Sequence, residues 1–203
     1  YHRRFDIGDT PLVIDASSDF LSRPLVFKDF GLMYAGAQKN LGPAGITIAI
    51  IRRDLLARCP EQLAPMFNYR FLANKKSLYN TPPVFAWYVC SLVLDWLKTE
   101  GGLAVIAERN QRKALTLYNE IGRDDFYRNP VDIADRSLMN IPIRIHDEKL
   151  ESRFLQQAEA AGFIGLKGHR SVGGIRASLY NAVSQEQTLA LVDFMNDFRH
   201  SSG

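Results

Sequence analysis

The sequence predicts an α/β portion that passes into a smaller α+β unit, and three observations carry that expectation. Apolar runs of strand length, PLVID (11–15), FGLMYAG (30–36) and the β-branched opening of GITIAIIRRDLL (45–56), crowd the first quarter of the chain. Two long segments, Val84–Lys98 and about Leu103–Ile121, carry apolar residues at helical spacing. Beyond residue 130 the order becomes strand, helix, strand, helix: SLMNIPIRI (137–145), KLESRFLQQAEAAG (149–162), GGIRASLYN (173–181) and SQEQTLALVDFMNDFRH (184–200).

Each element has a local reason. The first two runs read as buried strands, and the third as a strand that runs into a helical turn at RRDLL. FNYRFLANKKSLYNTPP (67–83) reads as irregular and polar, and its Pro82-Pro83 pair suits entry to the first long helix. Thr99-Glu100-Gly101-Gly102 ends that helix, and Gly122 ends the second. A domain boundary is therefore expected near residue 100, between 1–100 and 101–203. Trp87 and Trp96 are expected to pack as core within helices rather than to act as stacking platforms.

Composition narrows the function classes. A 203-residue chain that is 46% apolar can bury a real core, and a net charge of +3 with acids and bases interspersed demands no polyanionic partner. Two cysteines, Cys59 and Cys90, make neither a disulfide framework nor a metal cluster, so a reducing, cytoplasmic setting is expected. The apolar stretch Phe85–Leu97 is interrupted and too short to span a bilayer. The chain opens on Tyr1 and enters strand-like sequence almost at once, as expected of a fold whose opening is absent.

YAGAQKNLGPAG (34–45) sets Lys39 between Gln38 and Asn40 in a run of small residues, unlike a charged solvated face and unlike a core. Asp15 ends a predicted strand, and Lys39 follows the next strand by a few residues, so both are expected at the carboxyl edge of one sheet, where open α/β sheets present functional groups. An aspartate and a lysine at one edge suit pyridoxal phosphate: the lysine joins the cofactor aldehyde, and the aspartate keeps the pyridine nitrogen protonated. An ion pair or a solvent contact explains the same two residues equally well. Ser17 offers a hydroxyl near such a cofactor, or simply a turn after the strand.

DASSDFLSRP, YAGAQKNLGPAGITIAIIRRDLL, YNTPPVFAWY and KGHRSVGGIRASLYNA, in this order and spacing, resemble the C-terminal part of the phosphoserine aminotransferases, a family of class V pyridoxal phosphate enzymes. The resemblance runs over essentially the whole chain. It implies the type I pyridoxal phosphate transferase fold: a large α/β domain with a mainly parallel sheet, of which 1–100 is the C-terminal part, then a small α+β domain over 101–203, assembled as a homodimer. It implies a transaminase that converts 3-phosphohydroxypyruvate and L-glutamate to O-phospho-L-serine and 2-oxoglutarate in serine biosynthesis. The related phosphorylated hydroxythreonine of pyridoxine synthesis is a second possible substrate.

Carried over by residue, the resemblance makes Lys39 the Schiff-base lysine and proton shuttle, and Asp15 the partner of the pyridine nitrogen. Gln38 becomes a cofactor-binding residue, and Asn80 and Thr81 reach the cofactor phosphate of the neighbouring subunit. For Thr81, capping of the following helix competes with that role. Arg176 matches the residue that grips the substrate α-carboxylate, and by alternation it shares a strand face with Gly174 and Ser178. His169 and Arg170 match the pair that binds the distal anionic group, carboxylate in one half-reaction and phosphate in the other. Arg23 reads as structural. The family's stacking aromatic, Gly-Arg phosphate loop, ring-contacting threonine and first His-Arg pair are expected ahead of Tyr1. Alternatives are a non-catalytic truncated fragment or another class V enzyme; for desulfuration, Cys59 beside Pro60 and Cys90 inside a helix are poor nucleophiles.

Overall fold

The computed structural model describes residues 7–169 and 173–202. They form two compact units that divide between Leu103 and Ala104.

In the first unit, strands β1 (Val13–Asp15), β2 (Leu32–Gly36) and β3 (Thr47–Ile51) form one sheet in that order. β1 and β2 run parallel with Asp15 opposite Tyr34, and β2 and β3 run antiparallel with Gly36 opposite Thr47. Alternation puts Met33 and Ala35 of β2 on a buried face, both about 1% exposed, and Tyr34 on the other. β1 departs from the buried strand expected. Val13 is 58% exposed, and β1 is an edge strand of the sheet among the described residues. Helix α1 (Arg53–Ala57) follows β3 after Arg52, as the run RRDLL suggests.

The segment 67–83 is not wholly irregular. A short helix, α2 (Tyr69–Asn74), starts at Asn68, whose side chain accepts the Phe71 N–H at 3.0 Å and caps the first turn. A single Asn ahead of a six-residue helix is too weak a signal beside the polar run that follows it. Helix α3 (Val84–Thr99) enters at Pro83, its N-cap, with no side-chain capping bond. Thr81 is therefore not its cap. Trp87 is 46% exposed and does not join the core, while Trp96 is half-buried. The buried stripe of α3 runs instead through Ala86, Cys90 and Leu97. Gly42 explains the small residues: a Cβ there would lie 2.7 Å from Cys90 Sγ.

The second unit holds helix α4 (Gly102–Ile121), strands β4 (Tyr127–Arg128), β5 (Asn140–Ile145) and β6 (Ile175–Ser178), and helices α5 (Lys149–Ala160) and α6 (Gln185–His200). The sheet order is β4-β5-β6, all antiparallel. Two-residue β4 has no periodic signature, and only its pairing with β5 makes it a strand. Ile141, Ile143 and Ile145 alternate onto the core face, each 1% exposed or less, and meet Phe154 and Ala158 of α5 and Leu191, Met195 and Phe198 of α6. Fully burying Phe154 contributes about 2–3 kcal/mol, and its ring meets Phe198 edge-on at 5.0 Å. Ser184 and Gln187 close a capping box at the start of α6. Lys113 of α4 is 2% exposed, yet its ammonium donates to the carbonyls of Leu179 (3.1 Å), Tyr180 (2.9 Å) and Val183 (2.8 Å), tying the turn after β6 to the helix. No helix among the described residues is long and apolar enough to cross a membrane.

Candidate active site

The carboxyl ends of β1 and β2 carry Asp15 and the turn that holds Lys39. That turn is one amphipathic coil: Leu41 and Gly42 N–H donate back to the Ala37 carbonyl at 3.1 and 2.8 Å, and Ala37 and Leu41 face inward at 0% and 4% exposure. Buried Asn40 locks the turn by donating from Nδ2 to the Phe20 carbonyl at 3.1 Å. Burial of positions 37, 40 and 41 leaves Gln38 and Lys39 on the open side. Gln38 folds back over Gly36, where a Cβ would lie 2.5 Å from its Oε1.

Asp15 is held as a carboxylate. Hydrogen bonds from the Ser17 hydroxyl and from the Ser17 N–H, the latter 2.8 Å from Asp15 Oδ1, lower its pKa below 3.8; the Lys39 charge and the Tyr34 hydroxyl add to that, against a cost of desolvation. The structure thus brings Asp15 and Lys39 into electrostatic reach of each other. Ser17 serves the turn as well: its Oγ accepts the Gly36 N–H at 3.0 Å, joining the ends of β1 and β2. Tyr34 of β2 joins this edge without a local sequence signal. Its register opposite Asp15 puts the two side chains on one face, and the neighbouring carboxylate pushes its hydroxyl pKa up. The strand pairing that reveals it is absent from any local motif.

Asn80 and Thr81 lie exposed ahead of α3, and Asn80 Nδ2 sits 3.3 Å from Met66 Sδ. Around them Met66, Phe67, Leu78, Tyr79, Val84, Phe85 and Tyr88 are each at least 48% exposed. Arg23 pairs with Asp19 at 2.7 Å, the structural role expected of it. Both cysteines are free thiols, and burial pushes the Cys90 thiol up, which makes it a poor nucleophile.

In the second unit, β6 turns Ile175 and Ala177 into the core and leaves Arg176 and Ser178 half-buried on the opposite face. Gly174 precedes the strand with φ +69°, and a Cβ there would point at Arg144 on this same half-buried face. Arg176 Nε is buried and has no hydrogen-bond partner among the described residues. Beside it, Ser178 and Tyr180 both donate to Asn140 Oδ1, at 3.1 and 3.2 Å. His169 is exposed on one arm of a hairpin in which Gly168 N–H donates to Gly174 O at 2.8 Å and Gly173 N–H to His169 O at 2.7 Å. Arg170 lies outside the described residues.

The aminotransferase class-V family matches residues 7–191. The chain is 51% identical over 193 residues to a phosphoserine aminotransferase of Hahella chejuensis, covering 95% of this chain and 54% of that protein. A phosphoserine aminotransferase structure from Bacillus circulans subsp. alkalophilus superposes with a TM-score of 0.93 at 50% identity, over 98% of this chain and 55% of that one. A pyridoxal phosphate-bound phosphoserine aminotransferase from Trichomonas vaginalis gives a TM-score of 0.88 at 37% identity, over 96% and 56%. The chain spans about half the length of the relatives it matches. The backbone forms part of the type I pyridoxal phosphate transferase fold of these enzymes, as the resemblance implied, and the chain belongs to the class-V aminotransferase family.

Proposed function

We propose that this chain is part of a pyridoxal phosphate-dependent transaminase that converts 3-phosphohydroxypyruvate and L-glutamate to O-phospho-L-serine and 2-oxoglutarate. The observation that carries this reading is an ionised Asp15 within reach of the Lys39 charge at one sheet edge, in a chain half identical to phosphoserine aminotransferases. These residues fit the cofactor: a carboxylate kept ionised by Ser17 complements a protonated pyridine nitrogen, and a lysine on the open side of its turn reaches an aldehyde. When bound, pyridoxal phosphate supplies an electron-withdrawing ring that stabilises negative charge on the substrate α-carbon.

The remaining steps belong to the protein. Asp15 holds the proton at the ring nitrogen, and Lys39 Nζ takes the proton from the substrate α-carbon as general base. Gln38 serves the cofactor phosphate. Asn80 and Thr81 serve the phosphate of a neighbouring subunit in a homodimer, a reading supported by the exposed apolar residues around them. Arg176 binds the substrate α-carboxylate through a guanidinium whose Nε is unpartnered among the described residues. His169 and Arg170 bind the distal group, which explains how one pair accepts a carboxylate or a phosphate. Residues 1–100 act in this reading as the end of the large cofactor-binding domain and 101–203 as the small domain. The two free thiols agree with a cytoplasmic setting.

The test uses the full-length protein. Adding pyridoxal phosphate should produce an absorbance band near the visible edge that borohydride removes, and glutamate should change it. Lys39→Ala should lose that band and about 10⁴-fold in turnover with an unchanged circular dichroism spectrum. Full activity in Lys39→Ala would refute the assignment.

A further inference from the structure

Arg144, on β5, has no part in the reaction described above, yet it lies directly beneath the hairpin that carries His169. A Cβ on Gly174 would fall 2.9 Å from Arg144 Cδ and 3.0 Å from its Nε and Nη1, and one on Gly173 would fall 3.5 Å from both terminal nitrogens. The guanidinium and its Cδ thus take the space that a side chain at 174 would occupy and stand in van der Waals contact with where one at 173 would begin. Both glycines also adopt φ near +70°, a conformation that residues with a side chain rarely take, so the two positions favour glycine on conformational as well as steric grounds. Glu151 of α5 holds Arg144 from the far side, its two carboxylate oxygens 3.3 and 3.2 Å from Nη1. The pair is shielded, with side chains 22% and 14% exposed, so the geometry is held far better than in a surface ion pair. A planar guanidinium provides a rigid floor; an alkylammonium does not.

We propose that the Arg144–Glu151 pair positions the His169 hairpin and thereby sets selectivity for substrates with a distal phosphate. This rests on the reading above that His169 meets the distal anionic group. Arg144 and Glu151 act through the hairpin and are positioning residues. The floor is covered by backbone, so its loss should disturb placement of the distal group and leave the carboxylate contact of Arg176, on the neighbouring strand, in place.

The experiment measures kcat and KM of the full-length, cofactor-loaded protein and of Arg144→Met, Arg144→Lys and Glu151→Gln, with 3-phosphohydroxypyruvate and with unphosphorylated hydroxypyruvate. Calorimetric titration with O-phosphoserine provides a reading independent of turnover. The expected result for Arg144→Met is a KM for the phosphorylated substrate, and a dissociation constant for O-phosphoserine, raised by about tenfold or more. Its kcat should stay within about threefold, and its KM for hydroxypyruvate should not change. Arg144→Lys should recover only part of the loss, and Glu151→Gln should show the same selectivity in weaker form. A purely structural pair would lower the melting temperature and leave the ratio of the two KM values alone, which would overturn the proposal. Should Arg144→Met fail to fold, an unchanged ratio in both Arg144→Lys and Glu151→Gln would overturn it as well. Absence of transamination in the unsubstituted protein would instead refute the reaction itself.

Discussion

In the 104–202 unit Tyr127, Phe154, Ile141, Ile143, Ile145, Met195 and Phe198 are all 2% exposed or less, whereas in the 7–103 unit Val13, Phe67, Val84, Phe85 and Tyr88 are each at least 58% exposed. Both units draw on the same kinds of residue. The second closes a sheet against α4, α5 and α6 around a dense core and leaves only scattered aliphatic residues such as Ile133 and Ile164 exposed. The first gathers a small buried cluster, Ala37, Leu41 and Cys90, at the turn below Lys39, and leaves Phe67, Phe85 and Tyr88 among its aromatic residues well exposed. An exposed apolar surface of that extent is what the proposed homodimer would cover. Each unit keeps its order differently: the second in a dense core, the first in local hydrogen bonds around the edge that carries Asp15 and Lys39.

Truncating an aromatic in each unit breaks or sharpens this contrast. Phe154→Ala should cost about 4 kcal/mol of unfolding free energy, the loss expected for a core phenylalanine. Trp87→Ala should change it by no more than about 0.5 kcal/mol while weakening self-association. Urea unfolding with sedimentation checks both, and equal losses in stability would erase the distinction.

Lys113→Met probes a polar anchor of the dense unit. It leaves three carbonyls facing an apolar side chain and should cost about 2 kcal/mol at pH 7. Burial lowers the Lys113 pKa from 10.5 to about 8, so between those values the unfolded chain binds more protons than the folded one. Stability of the unsubstituted protein relative to Lys113→Met should therefore rise as pH climbs from about 8 to 10.5. A flat difference across that window would show that the three carbonyls restore the ordinary value.

The smallest effect concerns the open edge. Ser17→Ala removes the hydroxyl that contributes most to keeping Asp15 ionised, and should weaken pyridoxal phosphate binding by about fivefold, the worth of one hydrogen bond. Asp15 sits below 3.8 in the folded chain, so its contribution to stability is present above that value and lost as pH falls through the folded pKa. In Ser17→Ala that loss should begin at higher pH. An unmoved acid limb, followed by circular dichroism, would assign the role of Ser17 to the Gly36 contact alone.

Much was legible in local pattern, and for stated reasons. The isoleucines of β5 alternate, α6 announces its start with Ser184 and Gln187, and the small residues around Lys39 mark a turn pressed against a helix. What local pattern missed depends on partners distant in sequence. Trp87 reads as core because a helix with apolar residues all round gives no hint of which stripe is covered; only the fit of Gly42 against Cys90 settles that. β4 exists through β5, and Tyr34 comes to Asp15 through strand register.

By itself the sequence determined the order of elements, the identity of the chemically capable groups and the turn that presents Lys39, because these follow from periodicity, capping and side-chain size over a few residues. Tertiary structure alone decided that Asp15 would be held as a carboxylate beside the Lys39 charge, that Arg176 would keep a buried donor without a described partner, and that Arg144 would underlie the His169 hairpin. Those facts are distances between residues that strand pairing and packing bring together, and no run of neighbouring residues encodes them.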